Sequence, residues 1–301
     1  MTEVHIITGF LGAGKTTFIN KLLRDGAADG GTVLVENEFG DVSVDSDCIA
    51  ADIQILEITS GCICCSLQGN FVDGISELCA RYSPRQILIE PTGMADLGDT
   101  LAAVGRSLER IGGRLGAVIT VVNAEAFPAL LMMGGDFFRQ QIEAAQYIVM
   151  SGTQNVGEEE LCECRALLQE LDPAAPARFE PWEELDALAV LEEAAAVSHS
   201  AAETGDAQPQ NVRSEVFFPR RSFSEAEIRE LFAAIERGDY GTVLRAKGFL
   251  RTPEGKMLHS EYVFGGRQNI TRSDYEGEAK FVVIGELAES NGLRRLFRFK
   301  Y

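Results

Sequence analysis

Short apolar runs alternate with longer amphipathic stretches through the first two thirds of the chain. Val4 to Thr8 reads as a buried strand and Thr16 to Arg24 as the helix that follows it. Further strands are predicted at Thr32 to Glu36, Ile53 to Ile58, Gln86 to Ile89, Ala117 to Val122 and Tyr147 to Met150. Their apolar positions are continuous rather than alternating, as in strands covered on both faces, so a mostly parallel sheet is expected. Strand and helix in turn argue for a doubly wound α/β domain over residues 1–197. A polar stretch with Gly205 and Pro209 then fills residues 198–211 and has the composition of a linker. A long surface loop inside one domain is the plainer alternative.

From Val212 the rhythm changes. Ser214 to Phe218 reads as a strand. Ser224 opens a helix with Glu227 three residues on, a capping box, and Gly238 closes it. Strand-like runs recur at Tyr262 to Phe264 and Phe281 to Ile284, and a last helix is expected near Ala288 to Phe297. Residues 212–301 are therefore read as a smaller α+β domain, and no internal repeat is visible.

Composition narrows the function classes. Hydrophobic residues make up 46% of the 301 and charged residues 24%, an ordinary globular balance. Lys and Arg number 27 against 46 Asp and Glu, a formal net charge of -19, which repels nucleic acid and anionic membranes. Arg294, Arg295, Arg298 and Lys300 form the one basic cluster and are read as a solvated helix end. No apolar run reaches the length of a membrane span and no signal-peptide pattern opens the chain, so the cytoplasm is the expected compartment. Seven cysteines, an odd number, do not look like a secreted disulfide framework.

Three local signals carry chemistry. Gly9-Phe-Leu-Gly12-Ala13-Gly14-Lys15-Thr16-Thr17 is a full Walker A pattern between a predicted strand and a predicted helix. Its glycines let the backbone amides turn toward phosphate oxygens, and the helix N-terminus adds its positive end. Lys15 reaches the β- and γ-phosphates, and the Thr16 hydroxyl is a ligand for Mg²⁺. Gln86-Ile-Leu-Ile-Glu90-Pro-Thr-Gly93 ends a strand on a carboxylate beside that loop. Glu90 can hold Mg²⁺ through water or orient the attacking water, and the Gly93 amide can meet the γ-phosphate. The plainer alternative is a strand that ends on an exposed Glu.

The third signal is Gly61-Cys62-Ile63-Cys64-Cys65. Thiolates are soft ligands that suit Zn²⁺, Cu⁺ or Fe–S chemistry. Adjacent cysteines do not readily all face one ion, so two thiolates with outside ligands are expected, and Cys62 is alternatively a small core residue. A redox dithiol and simple packing are the rival readings. Cys48, Cys79, Cys162 and Cys164 are read as structural; the last two diverge by about 200° around a helix. His5 is read as a packed strand histidine, and His199 and His259 belong to no metal tract.

Taken together, and with Glu36-Asn-Glu38-Phe-Gly40-Asp-Val-Ser-Val-Asp45 between the Walker loop and the cysteines, the signals resemble the CobW-like P-loop GTPase family, its YjiA-type branch most of all. The likeness covers nearly the whole chain and includes Arg245-Ala-Lys247-Gly248-Phe-Leu, similar to that family's C-terminal signature. The resemblance implies a P-loop NTPase fold and a metal-responsive GTPase that delivers a transition metal to a client metalloprotein; slow turnover is expected because no general base or arginine finger is readable. It also implies that Glu36 joins Cys64 and Cys65, with Cys62 nearby, in the metal site. Zn²⁺ is the expected metal, with Co²⁺, Ni²⁺ and Fe²⁺ as alternatives, and nucleotide- or metal-driven homodimers suit the class. A metal-binding adaptor that does not hydrolyse nucleotide is the competing reading.

One segment departs from the family. Where the family has Asn/Thr-Lys-x-Asp to read guanine, this chain has Ser151-Gly152-Thr153-Gln154-Asn155. The neutral amide of Gln154 is not a charge-assisted acceptor, although its carbonyl accepts one bond. Weaker or less selective base recognition is expected, with GTP as the first expectation and Asn155 as a partial substitute.

Overall fold

The computed structural model describes residues 1–27, 30–36, 54–57, 68–93, 95–133, 135–172, 174–197, 213–265, 268–287 and 291–298. The chain divides into two compact units, Met1–Gln208 and Pro209–Tyr301. The stretch expected to be a linker lies outside the described residues.

In the first unit, strand β1 (Glu3–Thr8) leads through the Walker loop into helix α1 (Lys15–Leu22), whose continuation over Leu23–Ala27 is kinked at Gly26, with φ 122°. Next come β2 (Thr32–Glu36), β3 (Gln54–Glu57), α2 (Gln68–Tyr82), β4 (Gln86–Glu90) and α3 (Leu97–Ile111). The chain continues through β5 (Arg114–Asn123), α4 (Phe127–Met133), α5 (Gly135–Glu143), β6 (Ile148–Ser151) and α6 (Glu158–Leu171) to β7 (Ala177–Arg178) and α7 (Ala187–Ala196). Among the described residues the sheet has seven strands in the order β3-β2-β4-β1-β5-β6-β7, and every neighbouring pair is parallel.

Alternate side chains of β1, β2, β4 and β5 feed two separate cores. On one face Ile7, Leu34, Leu88, Ile119 and Val121 pack with Phe18, Ile19 and Leu22 of α1 and with Val190 and Leu191 of α7. On the other, Val4, Ile6, Val33, Val35, Ile87 and Ile89 pack with Phe71, Ile75 and Leu78 of α2 and with Leu97 and Val104 of α3. Burial on both sides is why these strands read as unbroken apolar runs. It also fixes a geometric consequence: β1 and β4 are neighbours, yet the helix after β1 lies on one face and the helix after β4 on the other. The crevice between two such strands, at their C-terminal ends, is where open α/β sheets bind ligands.

The predicted strands recur with ends shifted by a residue or a few, and β5 begins earlier than expected. Two-residue β7 escaped prediction because it is too short to show a period. His5 is buried, and its Nδ1 accepts the Ala117 N–H at 3.0 Å; burial lowers its pKa. Cys164 is buried with its thiol against the Ala124 carbonyl, whereas Cys162 is exposed.

The second unit is an antiparallel sheet in the order β11-β10-β9-β12-β8 among the described residues. Its strands are β8 (Arg213–Phe217), β9 (Gly241–Arg251), β10 (Met257–Val263), β11 (Asn269–Ser273) and β12 (Lys280–Leu287), with helices α8 (Glu225–Glu236) and α9 (Asn291–Arg298). Phe223, Phe232, Phe281 and Phe297 are the largest fully buried side chains of its core. The predicted capping box is present: Ser224 and Glu227 exchange bonds at the start of α8, and Gly238, with φ 79°, follows its end. The long central strand β9 was not expected as a strand, because Arg245 and Lys247 interrupt its apolar run. Arg294 of α9 pairs with Glu215 at 3.4 Å, so part of the basic cluster is spent on the domain's own surface.

Candidate functional site

The Walker loop closes over the C-terminal edge of the parallel sheet. Gly9, Gly12 and Gly14 have φ of 136°, 73° and 98°, a backbone that residues with a Cβ rarely adopt. At Gly9 space decides as well, since a Cβ there would lie 2.2 Å from the Val121 carbonyl oxygen. The loop folds on itself through the Ala13 N–H, which donates to the Phe10 carbonyl at 3.1 Å. Lys15 is 6% exposed, and its ammonium donates to the carbonyls of Gly9 at 3.0 Å and Phe10 at 3.1 Å. A buried ammonium is costly unless it is hydrogen-bonded. These two carbonyls hold the cation inside the loop.

Thr16, in the first turn of α1, donates its hydroxyl to the Glu90 carboxylate at 3.1 and 3.2 Å. Loop and strand end were predicted separately, and parallel pairing of β1 with β4 brings them together. Gly93 lies close enough to the loop that a Cβ there would stand 2.6 Å from the Leu11 nitrogen. Thr17 is exposed, and Gly12, Ala13 and Gly14 complete the loop.

Glu36 ends β2, is 5% exposed and pairs in register with Glu90 on one side and with Glu57 on the other. Three glutamate positions thus end adjacent strands in one row. Glu57 carries no signal in the sequence, because the run predicted there extends to Ile58 and leaves Glu57 inside it instead of at its end. Cys62, Cys64 and Cys65 lie outside the described residues. Among the described residues no group of three or more His, Cys, Asp or Glu is placed to hold a metal ion.

On the other side of the loop, Ser151 donates its hydroxyl to the Ala13 carbonyl at 2.5 Å. The residues after it form a short 3-10 turn, Thr153–Asn155, in which Gln154 is exposed. Trp182, beyond β7, packs against Phe18 with ring centroids 6.1 Å apart and comes within 3.4 Å of a Cβ built on Gly14. Neither contact could be read from sequence, since each joins positions far apart along the chain.

A family model for the nucleotide-binding domain of CobW/HypB/UreG proteins matches residues 3–178. The chain belongs to this family. Over 133 residues it is 39% identical to the zinc chaperone CobW of Sinorhizobium sp, a span covering 41% of this chain and 37% of that protein. Over 102 residues it is 43% identical to the zinc chaperone YjiA of Escherichia coli K12, covering 32% and 31%. The chain thus spans well under two thirds of the length of these relatives. A zinc-regulated GTPase metalloprotein activator of Dictyostelium discoideum is 22% identical over 306 residues, 83% of this chain and 64% of that one. Among solved structures, the Zn(II)-bound YjiA GTPase of E. coli covers 98% of each chain at 21% identity, with a TM-score of 0.47. No helix among the described residues is long and apolar enough to cross a membrane.

Proposed function

We propose that this protein is a P-loop GTPase whose slow hydrolysis is coupled to binding a transition metal and delivering it to a client metalloprotein. The observation that carries the reading is the Lys15 and Thr16–Glu90 arrangement at the crevice between β1 and β4. Lys15 and the loop amides would stabilise charge on the transferring phosphoryl group. The Thr16 hydroxyl and the Glu90 carboxylate are hard oxygen donors already in mutual contact, a donor set that fits Mg²⁺. Mg²⁺ held by these two residues would neutralise phosphate charge, while Glu90 orients water and the Gly93 amide meets the γ-phosphate.

The metal cargo would be taken by Glu36 with Cys64 and Cys65, and Cys62 beside them. Glu36 supports this because it is buried and pairs in register with Glu90, so ligand and hydrolytic carboxylates share a sheet edge. A metal there would sense the state of the phosphate loop through one strand pair. Mixed thiolate and carboxylate donors suit Zn²⁺, the metal in the names of the relatives. A cytoplasmic setting, which keeps the thiols reduced, and dimerisation driven by nucleotide or metal belong to the same reading.

The test is phosphate release from reduced protein with GTP and with ATP, each with and without one equivalent of Zn²⁺. Turnover of GTP that changes with Zn²⁺ and vanishes in Lys15→Ala is the expected result. Tight Zn²⁺ binding lost in Cys64→Ser, with no turnover of either nucleotide, would replace the enzyme by a metal-binding adaptor.

A further inference from the structure

The loop after β6 lacks an acidic side chain where a base would be read, yet a carboxylate stands beside it. Glu125, two residues beyond β5, is half-buried, and its Oε1 accepts the Asn155 Nδ2–H at 2.5 Å. The two loops are tied by a backbone bond from Ala124 N–H to the Ser151 carbonyl at 2.9 Å. Between them Gly152, with φ 68°, presents bare backbone. A Cβ there would lie 3.3 Å from Asn123 Nδ2 and 3.4 Å from Glu125 Oε1.

This corner adjoins the phosphate loop. Ser151 bonds Ala13, and Ser151 and Trp182 flank Gly14, with a Cβ on Gly14 at 3.3 Å from Ser151 and 3.4 Å from Trp182. The opposite flank of the loop is closed by Glu90 against Thr16 and by Gly93 against Leu11. A nucleoside attached to phosphates resting on the loop would therefore leave across the ends of β5 and β6, past Gly152.

We propose that Glu125 is the base-recognition residue of this protein, supplying from the loop after β5 the acceptor pair that neutral Gln154 does not. An ionised carboxylate has about four lone-pair positions, and the Asn155 amide engages one of them while fixing the plane of the group. Its match is a base with two adjacent N–H donors, the N1 and N2 edge of guanine. Adenine has no such pair, and hypoxanthine lacks the exocyclic amine. The inference deepens the nucleotide-site reading and rests on it.

Calorimetric titration of the full chain with GDP, and with the inosine, xanthosine and adenosine diphosphates, separates the two. Wild type is expected to bind GDP more tightly than the inosine and xanthosine forms. In Glu125→Gln, losing a charge-assisted acceptor should weaken GDP at least about tenfold. The new amide N–H, able to donate to the xanthine O2, should tighten the xanthosine form by a similar factor, with the adenosine form unchanged. Glu125→Gln is nearly isosteric, and a thermal midpoint equal to wild type certifies its fold. Asn155→Ala, which only unlatches the carboxylate, should lose part of the GDP preference. A Glu125→Gln protein that keeps the wild-type ranking overturns the proposal, as does a wild type that binds all four alike; both leave the phosphate site standing. A wild type that binds none of them overturns the phosphate site and the proposal together.

Discussion

Gly93→Ala tests the closeness of the phosphate loop to the loop after β4. A Cβ at Gly93 would stand 2.6 Å from the Leu11 nitrogen, 2.8 Å from its Cδ2 and 2.9 Å from its Cα. Two of these three atoms are backbone, so no side-chain rotation relieves the clash. Gly93 has no left-handed φ, so the effect is steric and not a backbone penalty. Overpacking of this kind costs about 1–3 kcal/mol. For a unit of this size each kcal/mol lowers the midpoint by about 2–4 °C, so a drop of several degrees is expected. Gly105→Ala in α3 is the control of opposite sign. Nothing lies within 4 Å of a Cβ there, and a glycine replaced inside a helix gains about 0.4–1 kcal/mol. The assay is thermal unfolding of both variants, alone, with GDP and with a non-hydrolysable GTP analogue. If the Gly93 amide meets the γ-phosphate, Gly93→Ala should lose most of the added stabilisation by the triphosphate and keep that by GDP. A Gly93→Ala midpoint at or above wild type would refute the steric argument. Equal losses for both nucleotides would refute the γ-phosphate role alone.

Three further outcomes follow from the geometry. Burial, ahead of the nearby Glu163 and Glu160 charges, pushes the Cys164 thiol up to about 11, so iodoacetamide at pH 8 should alkylate exposed Cys162 and spare Cys164, as read by peptide mass spectrometry. In the second unit, the Ser224 N–H bond first and Arg221 next hold Glu227 down to about 2. Its contribution to stability is complete above the ordinary carboxylate value and is lost as pH falls toward about 2, and Glu227→Gln should flatten that acid limb in denaturant titrations. Burial lowers the pKa of His5, so its neutral form is favoured by folding. Stability of the first unit should then be full above the unfolded histidine's value of 6.5 and decline below it; a His5→Gln protein, able to keep the acceptor for Ala117 N–H, should lose that decline.

Much of the architecture was legible because it is written in local patterns. Apolar runs buried on both faces announced the parallel strands, the glycine spacing announced the phosphate loop, and Ser224 with Glu227 announced the start of α8. Glu90 and Glu36 were legible as strand-terminal carboxylates. What stayed hidden depends on elements distant along the chain. β9 breaks its apolar run with Arg245 and Lys247, yet it pairs on both sides within the second sheet. β7 is a strand only because β6 lies beside it.

The sequence by itself determined the chemistry available: a Lys and a Thr on a glycine loop, glutamates at strand ends, and a segment after β6 that carries the neutral Gln154. Tertiary structure alone decided which of these groups meet. Strand order sets Glu90 against Thr16 and Glu36 beside Glu90, and it brings Glu125 to Asn155 from 30 residues away. The reason is physical. A parallel sheet aligns all its C-terminal ends along one edge, but which strands are neighbours there is settled by how the helices bury their apolar faces, a property no single segment carries.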